Sequence, residues 1–488
     1  MTLWTNRRLV RDENEIRDGQ LCAEVVTVTE SNILLRRAQQ LAQAYVDGLA
    51  RRPVAAPVSR EDLRTALGGP LGDAPVDPLT VVEELAQGVD PGLVATSGGR
   101  FFGFVEGGVL PAALAADWLT ATWDQNPGLH VLSPAAAAVE EVTAGWLLDL
   151  LGLPSSASLG FTTGAQMANF AGLAAARHDV LEKAGWDVEA DGLTGAPPVA
   201  ILVGADCHIT IGRALRFLGM GERTMIVVSA DSQGRMDADA LRRTLVDIHG
   251  PSIVCAQAGN VNTGAFDPLR EIAESCRDHG AWLHVDGAFG LWAAASPAHR
   301  HLVEGVELAD SWATDGHKWL NVPYDSGFVA CARPQTHRIA MAMRAPYLVR
   351  ETNGARDGSD WTPESSRRAR AFVVWAALRS LGREGVAALV RRCCDHATRF
   401  AETLSATEDL ELLNDVVLNQ VLVRVGDDDT RTRKTAAIVQ SGGEAWLGDT
   451  VWRDKAALRI SVSDHATTTA DVDRATTAII AAAIATRP

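Results

Sequence analysis

Lysine is scarce in this chain: Lys183, Lys318, Lys434 and Lys455 are four of its 45 basic residues. Lys318 follows Asp315-Gly316-His317 and precedes Trp319-Leu320, just beyond a predicted strand. A lysine set between apolar neighbours at a strand end loses solvation, which favours the neutral amine and equips it to attack a carbonyl. The same spacing also suits a surface lysine whose stem lies on apolar side chains while its ammonium stays in water. Upstream, Asp286 closes the apolar run Ala281-Trp282-Leu283-His284-Val285. There it would face a cleft at the carboxyl edge of a sheet and could hold the ring nitrogen of a bound heteroaromatic group protonated. A turn or helix-cap aspartate is the plainer reading. The stretch Phe161-Thr162-Thr163-Gly164-Ala165-Gln166-Met167-Ala168-Asn169 reads as a strand end, a small-residue turn and an alanine-rich helix. Free N–H groups at such a helix start suit a phosphate, although the spacing is neither a Walker loop nor a GxGxxG fingerprint. His208, in Asp206-Cys207-His208-Ile209, follows another apolar run and reads equally well as a structural histidine.

These residues need a frame, and the chain supplies one by alternation. The β-rich runs are Leu159–Thr162, Val199–Val203, Thr224–Val228, Ile253–Ala256, Trp282–Val285, Ser311–Ala313 and Gly327–Cys331. Helical stretches such as Ala165–Lys183, Asp237–Ile248 and Leu269–His279 lie between them. This pattern predicts an α/β domain over residues 93–335, with a mostly parallel sheet covered on both faces and a site at the strands' carboxyl ends. Residues 1–92 read as a helical and wrapping segment, with a helix over Asn32–Leu49 and then a Pro-, Gly- and Asp-rich, linker-like stretch, Arg51–Pro91, that holds a short helix near Val81–Ala86. From 336 to 488, two helical stretches (Ser365–Leu381 and Val386–Ser405), three short strands and a final helix predict a smaller α+β domain.

Bulk composition narrows the function classes. The 488 residues carry a formal charge of −16, which leaves no excess of Lys or Arg to displace counterions from a nucleic acid. Seven cysteines at irregular spacing, without a CxxC pair, argue against a disulfide framework or a zinc site and fit a reducing, cytoplasmic setting; no metal is expected. The N-terminus MTLWTNRRLVRDENE has no apolar signal core, and no apolar run approaches the ~20 residues of a membrane helix.

In order and wording, the motifs HVDGAFG, DSWATDGHKWLNVPYDSG and TTGAQMANFAGLAAARH, followed by APYL and SRRARAFVVWAALRSLGREG, resemble the pyridoxal-dependent (group II) amino-acid decarboxylases of the aromatic-amino-acid and glutamate decarboxylase group. The resemblance runs over residues 93–392 and is looser at both ends. It implies the fold-type I architecture of pyridoxal 5'-phosphate (PLP) enzymes and a homodimer with shared active sites. It also implies α-decarboxylation of an amino acid to its amine and carbon dioxide, through a Schiff base on Lys318 and a quinonoid. By matching position, Lys318 would carry the cofactor and Asp286 would pair with the pyridinium. His208 would stack on one face of the ring and Ala288 would cover the other. Ala165 and Gln166 would receive the phosphate, and His317 would lie beside the cofactor.

Two departures from the family pattern stand out. The loop 349–361 should carry a proton-donating tyrosine, but Gly358 takes that place, and the chain's tyrosines are Tyr45, Tyr324 and Tyr347. Oxidative deamination to an aldehyde and β-elimination therefore stand as alternatives, with His208, Tyr324 and Tyr347 as substitute donors. The family's threonine near the ring hydroxyl is replaced by Val261, leaving Asn260 or Asn262 to serve. Phe104, Glu106, His130 and Tyr347 are the candidates for the substrate pocket. Glu106 could pair with a basic substrate group or be one half of a structural ion pair. Arg367, Arg368 and Arg370 could bind a carboxylate or cap a helix.

Overall fold

The computed structural model describes residues 28–343 and 354–488, so Tyr347 and the 349–353 part of the loop lie outside the described residues. The chain forms two compact units, the first containing residues 28–48 and 59–91 and the second 49–58 and 92–488. In the first, three helices form: Val28–Gly48, Arg60–Leu67 and Pro78–Val89. Ser59 and Asp77 cap the second and third by accepting the Asp62 and Thr80 N–H groups, and Pro78 sits at a first-turn position where its missing N–H has no cost. The short helix expected near Val81–Ala86 runs from Pro78 to Val89, and a second capped helix, Arg60–Leu67, forms in the stretch read as a linker-like wrap. Its Pro, Gly and Asp residues mark their ends.

The second unit is built on two sheets. Strands β1 (Phe101–Phe102), β2 (Ser158–Thr162), β3 (Ala200–Gly204), β4 (Met225–Val228), β5 (Ser252–Gln257), β6 (Trp282–Asp286), β7 (Ser311–Asp315) and β8 (Gly327–Cys331) are followed by β9 (Leu410–Leu412), β10 (Gln420–Val425), β11 (Trp446–Trp452) and β12 (Lys455–Ser461). The large sheet has the order β2-β8-β7-β6-β5-β3-β4 and is parallel except for β8, which runs against both neighbours. Residues in β2, β5, β6, β7 and β8 are buried throughout, as expected of strands covered on both faces. The carboxyl ends of β2, β3, β5, β6 and β7 therefore share one edge. That edge gathers Ala165, His208, Asn260, Asp286 and Lys318.

The small sheet has the order β1-β11-β12-β10-β9, with β1 parallel to β11 and the remaining pairs antiparallel. Division at residue 335 separates the two sheets, yet β1 crosses it and both sheets belong to one compact unit. A two-residue strand is too short to leave a period-two signature in the sequence. The long helix Ala371–Ser405 is broken at Gly382, whose φ of 60° lies in the left-handed region, so it keeps the two helical stretches read from the sequence.

Candidate active site

Strand β7 ends at Asp315, and Lys318 lies one short turn beyond it. The Asp315 carboxylate accepts the Ala165 N–H at 2.5 Å through Oδ1 and lies 2.9 Å from Lys318 Nζ through Oδ2. It thereby ties the lysine to the first turn of the helix Ala165–Lys183. His317 Nδ1 accepts the Ser326 N–H at 3.1 Å, so the neutral ring carries its proton on Nε2, 3.3 Å from Asp315 Oδ1. Burial holds the His317 pKa below its ordinary value. The Tyr324 ring lies on His317 with centroids 4.3 Å apart. Its phenol is pushed up by burial and by the charges of Glu106 and Asp315.

Asp286 closes β6, next to β7. Its Oδ1 accepts the Ala288 N–H at 3.1 Å, and its Oδ2 accepts Asn169 Nδ2 at 3.1 Å and lies 3.4 Å from the Thr210 hydroxyl. Thr210 Oγ1 is also 2.8 Å from His208 Nδ1, so one hydroxyl bridges the histidine and the carboxylate. His208 caps the helix Ile209–Phe217, and burial lowers its pKa against the opposing pull of Asp286. Gln166 Nε2 donates to the Thr210 carbonyl at 3.3 Å, joining the two helix starts.

The loop before residue 108 closes the site from another side. A side chain at Gly107 would run into the Lys318 carbonyl, so only glycine allows this approach. Asn321 Oδ1 accepts N–H groups from both Gly108 (2.7 Å) and His465 (2.8 Å), pinning the loop and the chain after β12 to the turn that follows Lys318. Phe104 and Val105 hold φ values of 53° and 61°, and for β-branched Val105 this is a strained conformation. Glu106 follows them. Burial raises its pKa, and among the described residues no ion-pair partner meets its carboxylate.

The remaining candidates are placed elsewhere or otherwise engaged. Asn260 donates to the Asp206 carbonyl and accepts the Asn262 and Thr263 N–H groups, shaping its own turn, while Asn262 Oδ1 accepts the Thr450 hydroxyl. Phe104 is exposed and stacks on Trp446. The His130 N–H donates to Asp357 Oδ1 at 2.8 Å, beside the segment that follows residue 353. Gly358 is buried against Pro127 and Arg367. The three arginines are structural: Arg367 pairs with Glu140 at 2.5 Å, Arg368 with Asp117 at 2.7 Å and Arg370 with Asp325 at 2.7 Å.

Sequence reasoning passed over four residues. Asp315 was read only as a neighbour of Lys318, and Asn169 and His284 only as parts of a helix and a strand. Arg459, in the middle of β12, was not singled out. Burial lowers its pKa and its Nε has no hydrogen-bond partner among the described residues, while its charge is felt by His208. An arginine within Ala456-Ala457-Leu458-Arg459-Ile460 is the signal that marked it.

A primary amine, a buried strand-end carboxylate and a helix start whose first N–H already holds an anionic oxygen fit the carbonyl, ring nitrogen and phosphate of PLP. Fold and site define a fold-type I PLP-dependent enzyme. The family model described as the pyridoxal-dependent decarboxylase conserved domain matches residues 64–425. The chain is 28% identical to the aromatic-L-amino-acid decarboxylase of Bacillus atrophaeus, over 88% of this chain and 90% of that protein. It is 32% identical to the L-2,4-diaminobutyrate decarboxylase of Rhizobium meliloti, over 75% and 74% of the two chains. Among solved structures, the Oryza sativa TDC crystallised with PLP and tryptamine superposes with a TM-score of 0.89 at 22% identity, covering 95% of this chain and 99% of that one. The chain belongs to the pyridoxal-dependent decarboxylase family and is a PLP-dependent carboxy-lyase.

Proposed function

We propose that this enzyme removes the α-carboxylate of an amino acid bearing a basic side chain and releases the amine. The convergence of the Lys318 amine, the Asp286 carboxylate and the Ala165 helix start on one sheet edge carries the reading. PLP, when bound, supplies an electron sink for the pair left by departing carbon dioxide. Lys318 would hold the cofactor at its carbonyl carbon. Asp286 would keep the ring nitrogen's proton, and the Gln166 N–H, with the Ala165 N–H once it leaves Asp315, would meet the phosphate. His208 and Ala288 would confine the ring from its two sides. Arg459, a half-buried cation whose buried Nε has no hydrogen-bond partner among the described residues, suits an incoming carboxylate. The Glu106 carboxylate, which meets no ion-pair partner among the described residues, suits a cationic side chain, a reading supported by the similarity to an L-2,4-diaminobutyrate decarboxylase.

Tyr324 is the proposed proton source, since burial and two neighbouring charges keep its phenol protonated. A second reading, oxidative deamination or β-elimination, draws on Gly358 standing where the family has a tyrosine. The enzyme acts as a homodimer. Trp118, Leu119, Trp123, Val131, Trp146 and Trp375 are exposed apolar residues, and the pairs Trp123–Phe372 and Trp146–Trp375 join three helices into one apolar face. A reconstituted enzyme tested on basic, aromatic and acidic amino acids should give amine and carbon dioxide in equal amounts, without oxygen uptake, and fastest with basic ones. Oxygen consumption with aldehyde and peroxide would install the second reading. Keto acid as sole product, or a Lys318→Ala protein that keeps the visible absorbance of bound cofactor, would defeat both.

A further inference from the structure

We infer that Trp282, Ser311, His284 and Asn169 form a one-way hydrogen-bond relay that positions the Asp286 carboxylate, which makes His284 and Asn169 positioning residues for the cofactor's ring nitrogen. This rests on the proposed pairing of Asp286 with that nitrogen.

The two ends of the chain set its direction. An indole N–H only donates and a carboxylate only accepts. Trp282 Nε1 donates to Ser311 Oγ at 2.9 Å, leaving the serine proton for His284 Nδ1 at 2.8 Å. His284 then carries its own proton on Nε2, which donates to Asn169 Oδ1 at 2.9 Å. The asparagine amide is thereby turned so that Nδ2 faces Asp286 Oδ2 at 3.1 Å. Every link is buried: His284, Ser311 and Asn169 are wholly inaccessible, and Trp282 and Asp286 nearly so. A satisfied chain of this kind in low dielectric is stiff, and it fixes the Asn169 donor on Asp286 Oδ2. Burial lowers the His284 pKa to about 4, so the ring stays neutral and keeps the required tautomer.

Topology prepares the relay. Trp282, His284 and Asp286 alternate onto one face of β6, and Ser311 is the direct register partner of His284 on β7. On the helix above them, Ala165, Asn169 and Gly172 fall on one face. A Cβ at Gly172 would sit 2.8 Å from His284 Cε1 and 2.9 Å from Nδ1. Glycine inside a helix costs ~1 kcal/mol relative to alanine, and the room it leaves for this ring accounts for its presence.

The test is the nitrogen NMR shift of ring-labelled PLP bound to the enzyme, read together with kcat and KM. Wild type should show a protonated ring nitrogen and Asp286→Asn a neutral one. His284→Leu should move the signal toward the neutral value and lower kcat roughly tenfold or more with KM nearly unchanged. His284→Gln, whose amide can still donate toward Asn169, should recover much of both. Ser311→Ala removes a hydroxyl without adding bulk and should shift the signal the same way by less, which keeps the inference testable if His284→Leu fails to fold. A wild-type shift and kcat in folded His284→Leu or Ser311→Ala, alongside a changed signal in Asp286→Asn, would overturn the relay alone. An unchanged signal in Asp286→Asn would overturn the pairing and the relay together.

Discussion

Asp315 serves three partners with one carboxylate: the Ala165 N–H, Lys318 Nζ and, at longer range, His317 Nε2. Its negative charge holds the amine in an ion pair and stands at the helix start proposed for the phosphate. Asp315→Asn keeps an acceptor for Ala165 while removing the charge. PLP capture by the cofactor-free variant should therefore be several-fold faster at neutral pH, followed by the rise of visible absorbance; slower capture would contradict this role. Glu106 bears on specificity in the same charge-based way. Glu106→Gln should raise KM for diamino substrates by roughly tenfold, the ~1.4 kcal/mol expected of one partly buried charge pair, and should leave KM for aromatic substrates unchanged.

At the scale of elements, the segment after residue 353 closes the open edge of the large sheet. β2 is an edge strand, and its Leu159 and Phe161 carbonyls accept Arg356 Nη2 and Arg367 Nη1. Both arginines converge on Glu140, which is almost wholly buried. Glu140→Gln strands two buried guanidinium groups. It should cost ~3–5 kcal/mol, read as a lower denaturation midpoint at constant slope.

Legibility in the sequence follows the same division. Strands β2 to β8 were readable as short β-rich runs with helical stretches between most of them, and Lys318, Asp286 and His208 drew attention because each follows such a run. The short strand β1 and strand β11, which carries Gly448 and Asp449 against strand propensity, were not. Neither were the partners of Glu140, which come from distant positions and meet only through tertiary packing. Arg367, Arg368 and Arg370 therefore looked available, although each pairs with a carboxylate, whereas among the described residues no carboxylate pairs with Arg459.

For the whole molecule, acid is the stress to which the buried histidines respond. Burial lowers His284 and His337 to about 4 from an ordinary 6.5. Between those values the unfolded chain binds more protons, so lowering the pH favours unfolding by on the order of 3 kcal/mol for each ring. Buried Asp267, raised to about 6, works in the opposite sense over much of the same window. With two histidines against one aspartate, the melting temperature should fall as pH drops from 6.5 toward 4, as calorimetry would record. Assembly can be checked at the apolar face: Trp123→Glu should give a monomer by light scattering and lose most activity, and a fully active monomer would refute the shared-site dimer.

Asn321 joins three distant parts of the chain, since its side chain gathers the Gly108 and His465 N–H groups beside Lys318, while β1 pairs Phe101 with Trp446. A chain emerging from the ribosome can build its large sheet long before these contacts exist. The surroundings of Lys318 are completed only once His465 has been made. Fragments cut short before His465 should therefore fold in part yet stay silent, so that a premature stop yields no half-working, cofactor-consuming enzyme.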